Sequence, residues 1–387
     1  MFDQLIIGGG IHGTLLQLSL KRRGVEHGVI DPHPEPLARW NRTTAACGMR
    51  YLRSTSSHGL ELDFHALRRF ARERGYGSRH FIPPYLRPSL ELFSAYASHL
   101  VESEGLDTRI RDEITSIRRE AGAYLLLGKR GTYRARRLIL APGSPEPKPP
   151  WEGDRFPKAL HVFDRRFRLE EIEGEQEVAI VGAGVTGGQL AVHLAGKGVS
   201  LTLIEMKAPV QADYDGNPCY VGPRCAEDFE RITSPAERRA RITSERYPGT
   251  LPRDVYDELL DLIARGRVRL IIGRFTGLKE RGGGLEVRWE TTAGPGGSGR
   301  FDRVIAATGF APGPPAAALV AGLADTLALP TGPSGYPFPD STLEWGEGIY
   351  LSGALAELVI GPPARNIIGA HLAARRILPA FEAIRAA

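Results

Sequence analysis

Two glycine clusters are the residues whose types and spacing point most directly to chemistry in this chain. Gly8, Gly10 and Gly13 form a Gly-x-Gly-x-x-Gly run, and Gly182, Gly184 and Gly187 repeat it. A carboxylate, Asp31 or Glu205, follows the first glycine by 23 residues in each copy. The first glycine of such a run permits a tight turn, the second lets backbone approach a pyrophosphate, and the third lets a helix pack closely on a strand. The carboxylate accepts hydrogen bonds from ribose hydroxyls. Glycine makes up 46 of 387 residues, so a lone match is weak and the surrounding elements must decide.

Those elements read as an internal repeat. Residues 3–31 read as a strand over 4–7, the glycine turn, an amphipathic helix over 14–23 and a strand over 28–30. Residues 177–205 read as a strand over 178–181, the second turn, a helix over 189–196 and a strand over 201–204. Each glycine run thus sits between a strand and a helix N-terminus, whose free N–H groups and dipole suit phosphates. The likeness continues through hairpin regions at 114–133 and 268–289 into two apolar strands, which end in Ala141-Pro142-Gly143 and Ala307-Thr308-Gly309. Small residues there allow close approach of a nucleotide. A last strand ends at Gly353, and Gly361-Pro-Pro-Ala-Arg365-Asn366 opens a helix over about 367–384. The fold class is α/β, with two Rossmann-like dinucleotide-binding domains.

Composition narrows the class further. At 42% hydrophobic and 25% charged residues the chain is an ordinary globular protein. No window keeps about 20 apolar residues free of charge, Pro and Gly, and the first residues carry no leader pattern, so a cytoplasmic, non-membrane protein is expected. Net charge is +5, but the Lys and Arg are scattered, and nucleic acid is not expected as a partner. Cys47, Cys219 and Cys225 fit no zinc spacing, and reduced thiols with no bound metal are expected.

The two glycine units in this order resemble the two-dinucleotide-domain flavoproteins, which include pyridine nucleotide-disulfide reductases, thioredoxin-reductase-like enzymes and flavin-containing monooxygenases. The resemblance covers nearly the whole chain. It implies that the first copy binds FAD, the second binds NADPH or NADH, and the chain returns to the FAD domain at its end. The segments are then 1–170 (FAD, with an inserted stretch at 32–113), 171–300 (NAD(P)) and 301–387 (FAD return). It also implies that the helix after Gly361 points its N-terminus at the flavin, with Arg365 and Asn366 near the ring or ribityl chain; ordinary capping of that helix is the alternative for both.

Within 32–113, the run from Trp40 through Cys47-Gly-Met49-Arg50-Tyr-Leu-Arg53, then Phe64 to Phe70 and Arg87 to Tyr96, is similar to the N-hydroxylating monooxygenases that act on ornithine and lysine. Asn41 replaces their His, Arg50 their Gln and Arg53 their Lys. The likeness implies reduction of FAD by the nicotinamide, oxygen capture at flavin C4a and transfer of one oxygen atom to a small nucleophilic substrate. Trp40 would then lie beside the cofactor. Arg50 and Arg53 are candidates for lining the site, where a fixed cation stabilises peroxide charge or binds an anion; a surface role is the alternative.

Two other readings stay open. Cys47-Gly-Met-Arg-Tyr51 is similar to the single-cysteine segment of NADH peroxidases, oxidases and coenzyme A disulfide reductases, which would make Cys47 a redox thiol. A flavoprotein that senses redox state without turnover is the third. Glu205 favours NADH by repelling a 2′-phosphate, while the monooxygenase likeness tips the expectation toward NADPH, with Lys207, Arg224 or Arg246 as phosphate ligands. His12 in the first turn is placed where its side chain approaches the flavin, and His161 lies in the crossover to the second domain; each is a structural histidine or an acid–base group. Residues 207–250 read as a long polar loop, which either closes over nicotinamide or substrate or is a plain surface excursion.

Overall fold

The structure is a computed structural model that describes residues 1–382 apart from 154, 175, 292 and 293. Two sheets dominate it. In the first, five parallel strands lie in the order Ile349–Leu351, Thr132–Leu140, Phe2–Ile7, Gly28–Asp31 and Ile110–Arg111. In the second, five parallel strands lie in the order Val268–Arg281, Ser200–Glu205, Glu177–Val181, Arg303–Ala306 and Ala159–His161. Each carries an antiparallel hairpin, Ile114–Glu120 with Ala123–Gly128 on the first and Gly284–Thr291 with Gly297–Phe301 on the second. The fold is mixed α/β with two Rossmann-like sheets.

The strands next to the glycine turns are apolar runs buried on both faces, as parallel strands covered by helices must be. Leu5 and Ile6 are wholly buried in one, and Val178 and Ile180 in the other. The helix Ile11–Arg22 buries every residue from Gly13 to Leu20. It packs between its sheet and the C-terminal helix Ile367–Glu382. That helix joins the first sheet although it lies more than 300 residues further along the chain.

Three expectations change. The second sheet takes in Ala159–His161 and Arg303–Ala306, which lie on either side of the expected segment 171–300. Residues 207–250 are not a loop: they hold the helices Pro223–Glu230 and Pro235–Ser244 and a short parallel ladder between Val210–Gln211 and Thr250–Leu251. Their own small core joins Tyr220, Phe229 and Ile242 to Tyr336 and Leu358. Cys219 and Cys225, expected as free thiols, form a disulfide. Among the described residues no helix is long and apolar enough to cross a membrane, and no group of His, Cys, Asp or Glu is arranged to hold a metal ion. The last turn of the expected 367–384 helix runs into residues outside those described.

Candidate active site

Both glycine turns close alike. Gly8 and Gly182 leave their strands at φ +110° and +102°, where a Cβ would run into the carbonyl oxygen of Ala141 or Ala307. Gly13 and Gly187 lie against the carbonyl oxygens of Gly8 and Gly182 with no room for a methyl group. The carboxylates brace the turns. Gly9 N–H donates to Asp31 Oδ2 at 2.6 Å and His33 N–H to Oδ1 at 2.8 Å. In the second copy Ala183 N–H donates to Glu205 Oε2 at 2.5 Å and Met206 N–H to Oε1 at 2.8 Å. Neither following helix has a side-chain cap, so first-turn N–H groups stay available for an anion. One difference separates the copies: space over Gly10 is open, whereas Gly249 Cα lies 3.3 Å from the place a Cβ of Gly184 would take.

The two helix N-termini open on one cavity of about 450 Å³. Gly10, Ile11 and His12 reach it from the first turn and Thr186 from the second. Gly143, Ser352 and Gly353 come from the C-terminal ends of first-sheet strands, and Phe310 follows a strand of the second. Ligands of open parallel sheets bind at such ends. Trp40, Met49, Leu52 and Arg53 form another wall, and Tyr214 to Pro218 of the small helical unit close it. His12 Nδ1 is 2.9 Å from Ser352 Oγ, while its Nε2 is buried without a partner. Burial pushes this imidazole down to about 4, so it is neutral near pH 7. His58, also in the lining, is pushed down to about 4 by burial.

Residues 2–217, more than half of the chain, match the family model described as pyridine nucleotide-disulphide oxidoreductase. The chain belongs to the pyridine nucleotide-disulphide oxidoreductase family. An uncharacterised oxidoreductase of Bacillus velezensis is 23% identical over 204 residues, which are 50% of this chain and 52% of that protein, so the match spans about half the length of this curated relative. The structure is similar over all of both chains to the ornithine N-hydroxylase of Kutzneria sp. 744, with a TM-score of 0.81 and 17% identity. It is also similar, over 99% of each chain, to the bacillithiol disulfide reductase of Staphylococcus aureus, with a TM-score of 0.64 and 16% identity. At these identities the two likenesses are likenesses of fold.

Gly10, His12, Trp40, Arg53, Gly353, Arg365 and Asn366 all line the cavity. Gly309, at φ +80°, turns the chain just before Phe310. Other candidates are placed elsewhere. Arg50 is exposed and paired with Glu258 on the surface, outside the lining. Cys47 is 2% exposed in the core of the second sheet's helix layer. Burial pushes its thiol up to about 12, so the thiolate a redox relay needs does not form at physiological pH. Arg53 does reach the cavity, but its guanidinium is spent on backbone: it donates to the carbonyls of Ala212, Asp213, Tyr214 and Thr250 and to Thr250 Oγ1. It positions the 212–214 wall. His161 is buried and accepts from Phe163 N–H at 3.1 Å, which makes it a turn residue.

Of the cationic 2′-phosphate candidates, Arg246 is used up by the Glu357 carboxylate at 2.8 Å. Lys207 is exposed beside Glu205 and donates to Pro248 O at 3.4 Å, and Arg224 is exposed on the Pro223–Glu230 helix. Arg365 is held by Glu357 at 2.7 and 3.0 Å and by the Tyr336 hydroxyl at 2.8 Å. Two residues escaped the sequence reading. Arg109 lies against Gly9, its Cζ 3.4 Å from the place a Cβ would take, and its Nε and Nη1 are buried without partners. Arg39 lines the cavity beside Gly143 and donates to Pro145 O at 3.3 Å. Both arginines sit in a chain rich in arginine, and only the folded chain sets them apart.

Proposed function

We propose that this chain is an FAD-dependent, NAD(P)H-consuming monooxygenase that hydroxylates a small nucleophilic substrate with molecular oxygen. The observation that carries the reading is a single cavity that Gly10 to His12 reach from the first turn and Thr186 from the second and that, among the described residues, is lined by no cysteine. A disulfide or peroxide reductase relays electrons through a thiol at the flavin, and the candidate for that role, Cys47, is buried elsewhere. The greater likeness to an ornithine N-hydroxylase than to a disulfide reductase, 0.81 against 0.64 in TM-score, supports the same choice.

The residues present fit an FAD. Open space above Gly10 suits a pyrophosphate, and the buried, unpartnered His12 Nε2, Trp40 Nε1 and Arg109 Nη1 are donors or acceptors that a cofactor would satisfy. Gly10, Ile11 and Arg109 would hold the phosphates and Asp31 the adenosine ribose; Gly353 and the N-terminus of Ile367–Glu382 would face the ring. FAD, when bound, supplies the chemistry of accepting a hydride from the nicotinamide and passing electrons to oxygen. Thr186, Glu205 and Lys207 would orient NAD(P)H toward the same cavity. Met49, Leu52, Phe163, Phe310 and Ile367 give it an apolar lining, which would help exclude water once the cofactors are bound.

The test supplies NADPH, or NADH, with oxygen and a series of primary amines and sulfides. Substrate-dependent oxygen uptake with a product heavier by one oxygen atom is expected. Peroxide as the sole product with every nucleophile, together with NADPH oxidation driven by added disulfides, would overturn the reading.

A further inference from the structure

One wall of the cavity is closed by a covalent bond that the proposed chemistry does not use. Pro218 and Val221, on either side of the disulfide residue Cys219, line the cavity, and Val221 stays 42% exposed despite being apolar. Cys225, with its Cα 5.6 Å from that of Cys219, completes the bond. Between them Tyr220 is buried against Phe229, Ile242, Tyr336 and Leu358. The bond therefore pins the short helix Pro218–Val221 to the next helix, while Tyr220 anchors it from below. Besides that anchor the wall is tied by Asn217, whose N–H donates to Glu245 O and whose amide donates to Glu245 Oε2.

The two sulfurs are not equivalent. Cys225 stands in the first turn of Pro223–Glu230, whose N-cap is Gly222 with no side-chain acceptor. Unpaired N–H groups at a helix start favour a thiolate, which makes Cys225 the better leaving group and nucleophile. Both cysteines are half-buried, within reach of a small thiol, whereas Cys47 is sealed in the core.

We propose that Cys219–Cys225 is a redox-modification site, a latch opened by small thiols and closed by peroxide, which sets the shape of the cavity wall at Pro218 and Val221. On opening, an external thiolate attacks Cys219 Sγ and expels the Cys225 thiolate, leaving a mixed disulfide. A second thiol resolves it, so one external disulfide forms and the protein gains two electrons and two protons. On closing, the Cys225 thiolate attacks hydrogen peroxide to give a sulfenic acid. The Cys219 thiol then displaces its oxygen, and two waters leave over the two steps. Peroxide is what an oxygen-using flavoprotein releases when turnover uncouples; that source rests on the proposed function, and the latch itself does not.

The experiment treats the native full-length protein with glutathione or buffer alone, alkylates it without denaturant, and maps the label by mass spectrometry alongside backbone hydrogen exchange. Expected is label on Cys219 and Cys225 only after reduction and none on Cys47. Exchange in 216–226 should rise about tenfold or more while the sheets are unchanged. Peroxide should reverse both. The double variant Cys219→Ser with Cys225→Ser should exchange like the reduced protein and ignore thiols. Thiols that stay unlabelled after reduction, or exchange that does not differ between the two forms, would overturn the latch. Neither readout involves turnover, so failure of the hydroxylation assay leaves this result independent.

Discussion

Two glycines of the first turn differ in what a single added carbon would meet, and that difference predicts behaviour. A side chain at Gly10 would enter open space, whereas one at Gly13 would strike the Gly8 carbonyl. Gly13→Ala should therefore disturb folding, while Gly10→Val should leave a folded chain that has lost its pyrophosphate cradle. We expect Gly10→Val to purify with less than about a tenth of the wild-type flavin, a loss of more than about 1.4 kcal/mol in binding; absorbance near the flavin maximum against protein content reads it. Near-stoichiometric flavin in that variant would mean that the first turn is not the FAD site. Cys47 makes the opposite case. Cys47→Ser should leave NADPH-driven flavin reduction unchanged in stopped flow and cost stability of about 1 kcal/mol, because a hydroxyl replaces a buried, nearly apolar thiol.

Among the elements, the small helical unit at 207–250 is tied to the cavity by one carboxylate. Glu357 is wholly buried and accepts from Arg239, Arg246 and Arg365. Burial pushes its carboxyl up, but the three guanidinium groups, Arg365 foremost, prevail and hold it at about 2. A depressed carboxyl stabilises the fold in full above its unfolded value near 4.5 and loses that contribution as pH falls from there through 2. The shift corresponds to about 3 kcal/mol at pH 7. Glu357→Gln should thus lower stability by about that amount at pH 7, and the gap to wild type should narrow to about half or less by pH 3; urea unfolding at both pH values measures it. This unit was also the least legible part of the sequence. Its helices are short and polar and bury few apolar residues, Phe229 in one and Ile242 in the other. Local signals were present: Ser234 caps Pro235–Ser244 by accepting from Glu237 N–H, with Pro235 at its start. The βαβ repeat was legible because glycine spacing and buried strands obey strong steric rules. Six-residue spacing between two cysteines obeys none, so the disulfide could not be read, while for Arg50 the surface role stood only as one of two alternatives.

At the scale of the whole molecule, the cofactor sites depend on chain that is far away in sequence. The first sheet is interrupted after Thr132–Leu140 by the second sheet and the helical unit, and it gains its next strands only at Glu344–Gly346 and Ile349–Leu351. The helix Ile367–Glu382 then buries ten residues, several against Ile11–Arg22, and brings Asn366 and Ile367 to the cavity. The second sheet draws its strands from 159–306 alone. A chain ending at residue 340 keeps both glycine runs, so a reading that rests on motifs alone predicts two working sites. The architecture predicts something else. Such a chain should lose FAD, because the first sheet lacks a strand beside Thr132–Leu140 and the Ile11–Arg22 helix lies open on the face it normally buries, while the second sheet keeps its strands. Flavin content and hydrogen exchange on this truncated chain decide between the two. Protection retained in 177–205 with protection lost in 2–31 is the expected pattern, whereas retained flavin would show that the first turn holds the cofactor without its C-terminal partner.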